Sequence, residues 1–230
     1  VRESDRMVHG KRHHTWFVQH NGPLPSLLVA LGIHRGHKVF NARKPVPDWI
    51  MNGSKMVKRE FLAAFHGGDG CKFSATIVKN HVSIDCAQTS QQSTVEHVNN
   101  LRTFMEQVVK LFNEFGVETH LRPNHQLHED RIVVRYVFQA SKLNLLKFWT
   151  TIGTRYDVLK QQASGKLAEL IRQLGPDAII RPSHLESWNA TVYTHGSAIF
   201  LPIKGIVEVE NQQISDITVS HENHSFVSTN

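Results

Sequence analysis

The sequence predicts an α+β fold: an αββαββα unit whose four strands form one antiparallel sheet, followed by a partial all-β segment. Three observations predict it. Two pairs of alternating apolar runs are each joined by a polar stretch, the pattern of a β-hairpin. Amphipathic stretches of helical period precede, separate and follow those pairs. Beyond residue 196 the helical period gives way to short β runs punctuated by Gly and Ser. The 230 residues, 40% hydrophobic and 20% charged, suffice to bury a core, which excludes a disordered or fibrous chain. No apolar run approaches the roughly 18 residues of a membrane span, and Val1 to Arg6 lack the apolar stretch of a secretory signal. Cys71 and Cys86 cannot make a disulfide scaffold, and the sixteen histidines are scattered without zinc-ligand spacing.

The elements follow in order. Ser54 is a plausible N-cap for a helix over 54–66, which Gly67-Gly68 should break. Phe73, Ala75 and Ile77, then Val82, Ile84 and Cys86, alternate with polar residues on either side of Asn80 and predict the first hairpin. Ser93-Thr-Val-Glu96 reads as a capping box opening a helix whose stripe is Val95, Val98, Leu101, Met105, Val108, Phe112 and Phe115, with Gly116 as the stop. Residues 117–122 and 132–140 predict the second hairpin. Helices follow over 143–152 and 160–174, the latter ended by Gly175-Pro176. The β runs after residue 176 are 198–201, 205–209, 217–219 and 226–227.

Charge divides the chain. Residues 1–60 carry a net +7, residues 61–172 a net +3 and residues 173–230 a net −4, giving the overall +6. A basic front with an acidic tail suggests a polyanion-binding part joined to a part with another task. With helices covering one face of the sheet, the other could lie along a duplex groove. Lys72, Ser74, Thr76, Gln88, Arg135 and Gln139 would project from it, a mix suited to phosphate and base-edge contacts or to an ordinary solvent face.

One segment carries chemistry. In Phe61-Leu-Ala-Ala-Phe-His-Gly-Gly-Asp-Gly70 an acid sits at a helix C-terminus, where the macrodipole disfavours it. A divalent cation bound by the Asp69 carboxylate and the Gly68 carbonyl would remove that penalty. Small residues at Ala63, Ala64, Gly67 and Gly68 would let a second helix end approach, bringing two acids to shared Mg²⁺. Gly-Gly-Asp-Gly is otherwise an ordinary turn sequence.

This segment, with its lead-ins Val46-Pro-Asp-Trp-Ile50 and Lys58-Arg-Glu-Phe-Leu62, resembles the second motif copy of the LAGLIDADG homing endonucleases carried by inteins. It departs at Ala64, where that family commonly has Gly. The resemblance implies a DNA-binding half-domain of αββαββα order with Asp69 as metal ligand. It divides the chain into the end of a first repeat (1–45), a second repeat (46–175) and a C-terminal splicing segment of Hedgehog/intein (Hint) type (176–230). Leu28-Val-Ala-Leu-Gly32 followed by Lys38 parallels Trp149-Thr-Thr-Ile-Gly153 followed by Lys160, and in that family such lysines reach toward the scissile phosphate. Phe200-Leu-Pro-Ile203, Ile214-Ser-Asp-Ile-Thr-Val219 and His224-Ser-Phe-Val227 resemble an intein's C-terminal block, which implies splicing roles for Asp216 and His224.

The expectation is therefore Mg²⁺-dependent cleavage of double-stranded DNA by part of a self-splicing intein. Its partners would be duplex DNA, the upstream half or a homodimer partner, and a host (extein) protein, with no membrane. The chain begins at Val1 without the intein nucleophile and has neither a first motif copy nor the terminal His-Asn pair. Splicing and cutting are thus expected to need more than these residues. Low cysteine usage fits a reducing compartment, and the host sets the location, cytoplasm or nucleus. Two other readings stand beside this one: a non-cleaving, maturase-like or degenerate nucleic-acid-binding module, and a passive insert in an autoprocessing protein. Strong salt dependence of duplex affinity would exclude the passive insert.

Overall fold

The computed structural model describes residues 2–8, 11–17, 22–33, 37–85, 87–123, 125–128, 130–195, 198–203 and 205. Its elements make an α+β structure. A hairpin of β1 (Arg2–Val8) and β2 (Lys11–Phe17) precedes the short helices α1 (Leu24–Ala30) and α2 (Asp48–Met51) and the long α3 (Lys55–Asp69). A second hairpin, β3 (Ser74–Val78) and β4 (His81–Asp85), leads to β5 (Gln88–Thr94), a 3-10 turn and α4 (Val98–Glu114). Next come β6 (Thr119–Leu121), β7 (His125–His128), β8 (Arg131–Phe138), α5 (Lys142–Thr151) and α6 (Val158–Leu174). Helix α7 (Pro182–Thr191) and the hairpin β9 (Tyr193–His195) and β10 (Ala198–Phe200) complete the described part. No described helix is long and apolar enough to cross a membrane.

The main sheet is antiparallel, with β8 at its centre. β5 pairs along one edge of β8, from Gln88 opposite Val137 to Thr94 opposite Arg131. β6 and β7 share the other edge. The hairpin β3–β4 forms a separate two-stranded sheet, which corrects the expectation of one sheet built from two hairpins. The reason is β5. Its sequence, Gln-Thr-Ser-Gln-Gln-Ser-Thr, has no apolar residue, so apolar alternation could not reveal it, yet it takes the sheet edge that the first hairpin was expected to occupy.

The same strand undoes the predicted capping box. Ser93 lies inside β5 with its hydroxyl buried and unpartnered among the described residues, and α4 opens from the 3-10 turn with no side-chain cap. Ser54 does cap α3, accepting a hydrogen bond from Val57 N at 3.4 Å. That helix runs through Gly67-Gly68 to Asp69 instead of breaking. Its cost in helix propensity, about 1 kcal/mol per glycine, is offset by burying Leu62, Ala63 and His66 under the sheet.

Both α3 and α4 cover the inner face of the sheet. Leu101, Met105, Val108 and Phe112 of α4, from the predicted stripe, meet Val134, Tyr136 and Phe138 of β8, and Phe148 of α5 closes the same core. Residues after 175 do not start as β structure. α7 has Pro182 in its first turn and buries Leu185 and Trp188, and Trp188 Nε1 donates to Lys166 O at 3.0 Å. The spacing Leu185, Trp188, Val192 is helical, and it outweighs the β texture of the residues beyond 192. The run predicted from 198 appears as β10. The run 205–209 beyond its first residue and the runs 217–219 and 226–227, and with them Asp216 and His224, lie outside the described residues.

Candidate functional site

The C-terminal end of α3 is where the sequence-predicted residues meet. Asp69 is the last residue of the helix and stands partly exposed, its carboxylate Oδ2 taking a hydrogen bond from Lys38 Nζ at 3.2 Å. Gln91 Nε2, from the inner face of β5, donates to the same oxygen at 2.9 Å. From the first turn of α6, Lys160 Nζ donates to the carbonyls of Gly67 (2.5 Å) and Gly68 (3.3 Å). The two lysines singled out by the internal repeat thus reach one helix end from opposite parts of the chain.

Local folding explains how each lysine gets there. Gly32 after α1 and Gly153 after α5 both adopt left-handed conformations, φ +91° and +70°, which a residue without Cβ takes at little cost. After Gly153 the chain turns into α6, where the Asp157 side chain caps the helix by accepting from Lys160 N at 2.9 Å. After Gly32 it returns along the free edge of β5, where Thr94 N donates to Val39 O at 3.1 Å.

Electrostatics make this helix end a cation site. Its carbonyls carry the negative end of the macrodipole and Asp69 adds a full charge, so two ammonium groups settle there. Arg43, stacked over Phe104 with its guanidinium 4.3 Å from the ring centroid, also feels Asp69. Burial lowers its pKa and the nearby carboxylate partly restores it. Mg²⁺ prefers hard oxygen ligands and is often held by one or two carboxylates plus water and substrate phosphate. Asp69 and the Gly68 carbonyl fit half of such a site. Among the described residues no cluster of three or more His, Cys, Asp or Glu could supply the rest.

Beneath the acid lies a buried polar trio that sequence reasoning missed. Tyr136 OH is 2.9 Å from His66 Nδ1, while Thr89 Oγ1 donates to Tyr136 OH at 2.8 Å and lies 3.1 Å from His66 Nδ1. All three residues are fully buried. Burial, reinforced by the charge of Lys160, lowers the His66 pKa to about 3, so its ring is neutral at physiological pH. Burial likewise raises the Tyr136 phenol well above its ordinary range. One histidine among sixteen gave no signal of this.

The outer face of the main sheet follows from the β5–β8 register. Ser90 stands opposite Arg135 and Gln92 opposite Val133, so Gln88, Ser90, Gln92, Arg131 and Arg135 share one side. Arg122 borders them, its backbone N donating to Arg135 O at 2.9 Å. Of the six predicted DNA-facing residues, Gln88 and Arg135 are on this face. Gln139 follows the end of β8 and Lys72 lies in the loop after α3, both exposed. Ser74 and Thr76 belong to β3 in the separate hairpin, and Ser74 Oγ donates to Asp85 Oδ2 at 3.1 Å. This corrects their expected place on the same sheet. Ser90 and Gln92 were missed because strand β5 was missed, whereas Arg122 and Arg131 flank the two strands of the hairpin that was predicted.

No family model matches the chain. It is similar to segments of several curated proteins. It is 36% identical over 136 residues to tRNA-splicing ligase RtcB of Methanopyrus kandleri, covering 59% of this chain and 13% of the ligase. It is 28% identical over 158 residues to the Replication factor C small subunit of Methanocaldococcus jannaschii, covering 66% and 8%. Over 236 residues it is 25% identical to DNA-directed RNA polymerase subunit Rpo1N of the same organism, covering 96% and 17%. The chain therefore spans less than a fifth of the length of these relatives, whose names are all those of nucleic-acid-processing proteins.

Proposed function

We propose that this chain is the second half of a LAGLIDADG homing endonuclease embedded in an intein, acting in Mg²⁺-dependent, site-specific cleavage of double-stranded DNA. The observation that carries the reading is the convergence of Lys38, Lys160 and Asp69 on one helix end. The order of α3, the hairpin β3–β4, α4, the strands β6 and β8, and α5 agrees with an αββαββα half-domain to which β5 and β7 are added. The similarity to short shares of a ligase, a replication factor subunit and a polymerase subunit supports the intein part. An element inserted into different hosts would match each of them over a minor part of its length.

Asp69 and the Gly68 carbonyl would hold Mg²⁺ together with an acid from the other half. Once bound, the ion supplies Lewis-acid stabilisation of the phosphoryl oxygens and a more acidic water. The chain's own residues do the rest. Gln91 fixes the Asp69 carboxylate, Lys160 and Lys38 place positive charge where the phosphoryl oxygens gain negative charge, and the outer face of the sheet holds the duplex. The other half, or a second copy, would cover the apolar groove of about 790 Å³ beside α3, lined by Ile33, Pro47, Trp49, Met56, Phe61 and Phe65. Ala64 and Gly68 are exposed, whereas Ala63 and Gly67 are buried within this chain. Asp216 and His224 carry the splicing part of the proposal, with a host protein as partner.

The test is duplex cleavage by the chain combined with its upstream half. Asp69→Asn should abolish Mg²⁺-dependent cutting and leave binding in place. Equal cutting by the variant, or cutting without divalent metal, would sink the assignment. The lack, among the described residues, of a cluster of three or more His, Cys, Asp or Glu favours a second reading, a non-cleaving binding module; duplex binding without any cleavage by the assembled wild type would establish it.

A further inference from the structure

Among the described residues, Arg135 is the one arginine of the outer face with a side-chain partner directly across the β5–β8 pair. Its Nε donates to Ser90 Oγ at 2.8 Å, and the two residues are register partners. That bond draws the guanidinium from β8 toward the row of β5 side chains. With Nε occupied, the two terminal nitrogens form the fork that pairs with O6 and N7 of guanine in the major groove. Gln88 and Gln92 stand two residues to either side of Ser90 on the same row. Alternate strand residues are about 6.8 Å apart, and two base-pair steps span about the same length. Glutamine pairs with N6 and N7 of adenine. The groove beside Arg135, about 460 Å³, has nearly buried Val133 and Val137 in its wall, and Gln88 and Arg122 line it too. Apolar walls limit competition from water for the fork.

We infer that Ser90 is a positioning residue that sets Arg135 to read a guanine, with Gln88 and Gln92 reading adenines two base pairs to either side. This rests on the duplex-DNA reading proposed above and names the bases recognised. The side chains then act as a three-toothed comb along one strand of the groove, while Arg122 stays on the phosphate side. The role of Ser90 is carried by its hydroxyl alone, so threonine can replace it and alanine cannot.

The experiment is sequencing of the bound fraction from a randomised duplex pool, using the full chain in wild-type, Ser90→Ala, Ser90→Thr and Arg135→Ala forms. The wild type should enrich a purine triplet with guanine flanked at two-base-pair spacing by adenines, with guanine favoured about tenfold or more over the other bases. Ser90→Ala and Arg135→Ala should flatten the guanine preference alone, and Ser90→Thr should retain it. A guanine preference that survives Ser90→Ala in full overturns the positioning role. Duplex binding with no base preference at these positions overturns the comb while leaving the DNA reading intact. Failure to bind any duplex, with or without the upstream half, overturns the DNA reading itself.

Discussion

His66 shows how a single residue beneath the site ties stability to pH. Its ordinary pKa of 6.5 falls to about 3 in the fold because its ring is buried. Below pH 6.5 the unfolded chain therefore takes up a proton that the folded chain refuses until near pH 3. The unfolded state binds more protons throughout that window, so stability is full above pH 6.5 and falls as pH drops, by up to about 1.4 kcal/mol per pH unit from this group. Glu60, whose carboxyl is held below its ordinary 4.5 mainly by the Tyr156 hydroxyl, contributes in the same direction but only at lower pH. The range between pH 6.5 and 5 therefore separates the contribution of His66 from that of Glu60. Urea unfolding there should show a clear slope for the wild type and a much flatter one for His66→Gln; equal slopes would show that the ring does not stay neutral in the fold. Tyr136→Phe acts differently. It leaves Thr89 and His66 without the phenol, which should cost about 1–3 kcal/mol at any pH above 6.5.

Among the elements, two helical glycines face opposite surroundings and should respond to alanine with opposite sign. A Cβ on Gly165 of α6 would stand 2.6 Å from Trp149 Cζ2 on α5 and 2.5 Å from Ile199 Cδ1 on β10. The indole cannot swing away as a flexible chain end could, so Gly165→Ala should destabilise by about 1–3 kcal/mol despite its gain in helix propensity. A Cβ on Gly68 of α3 would meet nothing within 4 Å, so Gly68→Ala should raise stability by up to about 1 kcal/mol. Thermal unfolding of both variants reads the two signs at once, and equal signs would refute the packing argument. The same contrast marks what the sequence could reveal. Helix α3 was legible from its Ser54 cap, and the hairpin β3–β4 from its alternation, because each advertises itself locally. Strand β5 was not, since its partner on β8 lies some 45 residues away and it contains no apolar residue. Helix α7 was hidden by the β texture after it. Within the site, Asp69, Lys38 and Lys160 were legible because a repeat and a glycine stop mark them. Gln91, Ser90 and Gln92 had no such marker and depend on the register of an unseen strand.

Taken whole, the molecule exposes an apolar groove beside α3 within a basic front segment, and the two kinds of contact these support should respond oppositely to salt. Helix α1 buries none of its residues, and Leu27, Ile33, Trp49 and Met56 are each about half exposed or more. They lie near or within the groove beside α3, and a patch of that kind marks an interface on a soluble protein. Alone in solution the chain should therefore associate with itself through α1 and α3. Two copies would bring together the segment with a net charge of +7 over residues 1–60. Screening relieves that repulsion, so self-association should strengthen as salt rises. Duplex affinity should fall instead, because binding releases counterions from the phosphates, with a log–log slope near −0.9 per phosphate neutralised. Sedimentation velocity across a salt series tests the first trend, and fluorescence anisotropy of labelled duplex tests the second. Leu27→Asp combined with Met56→Asp changes only exposed side chains and should give a folded monomer that no longer associates with the upstream half. A wild type that stays monomeric to its solubility limit at high salt would remove the case for a partner at this groove. The acid at the end of α3 would then stand alone, with no second carboxylate to complete its metal site.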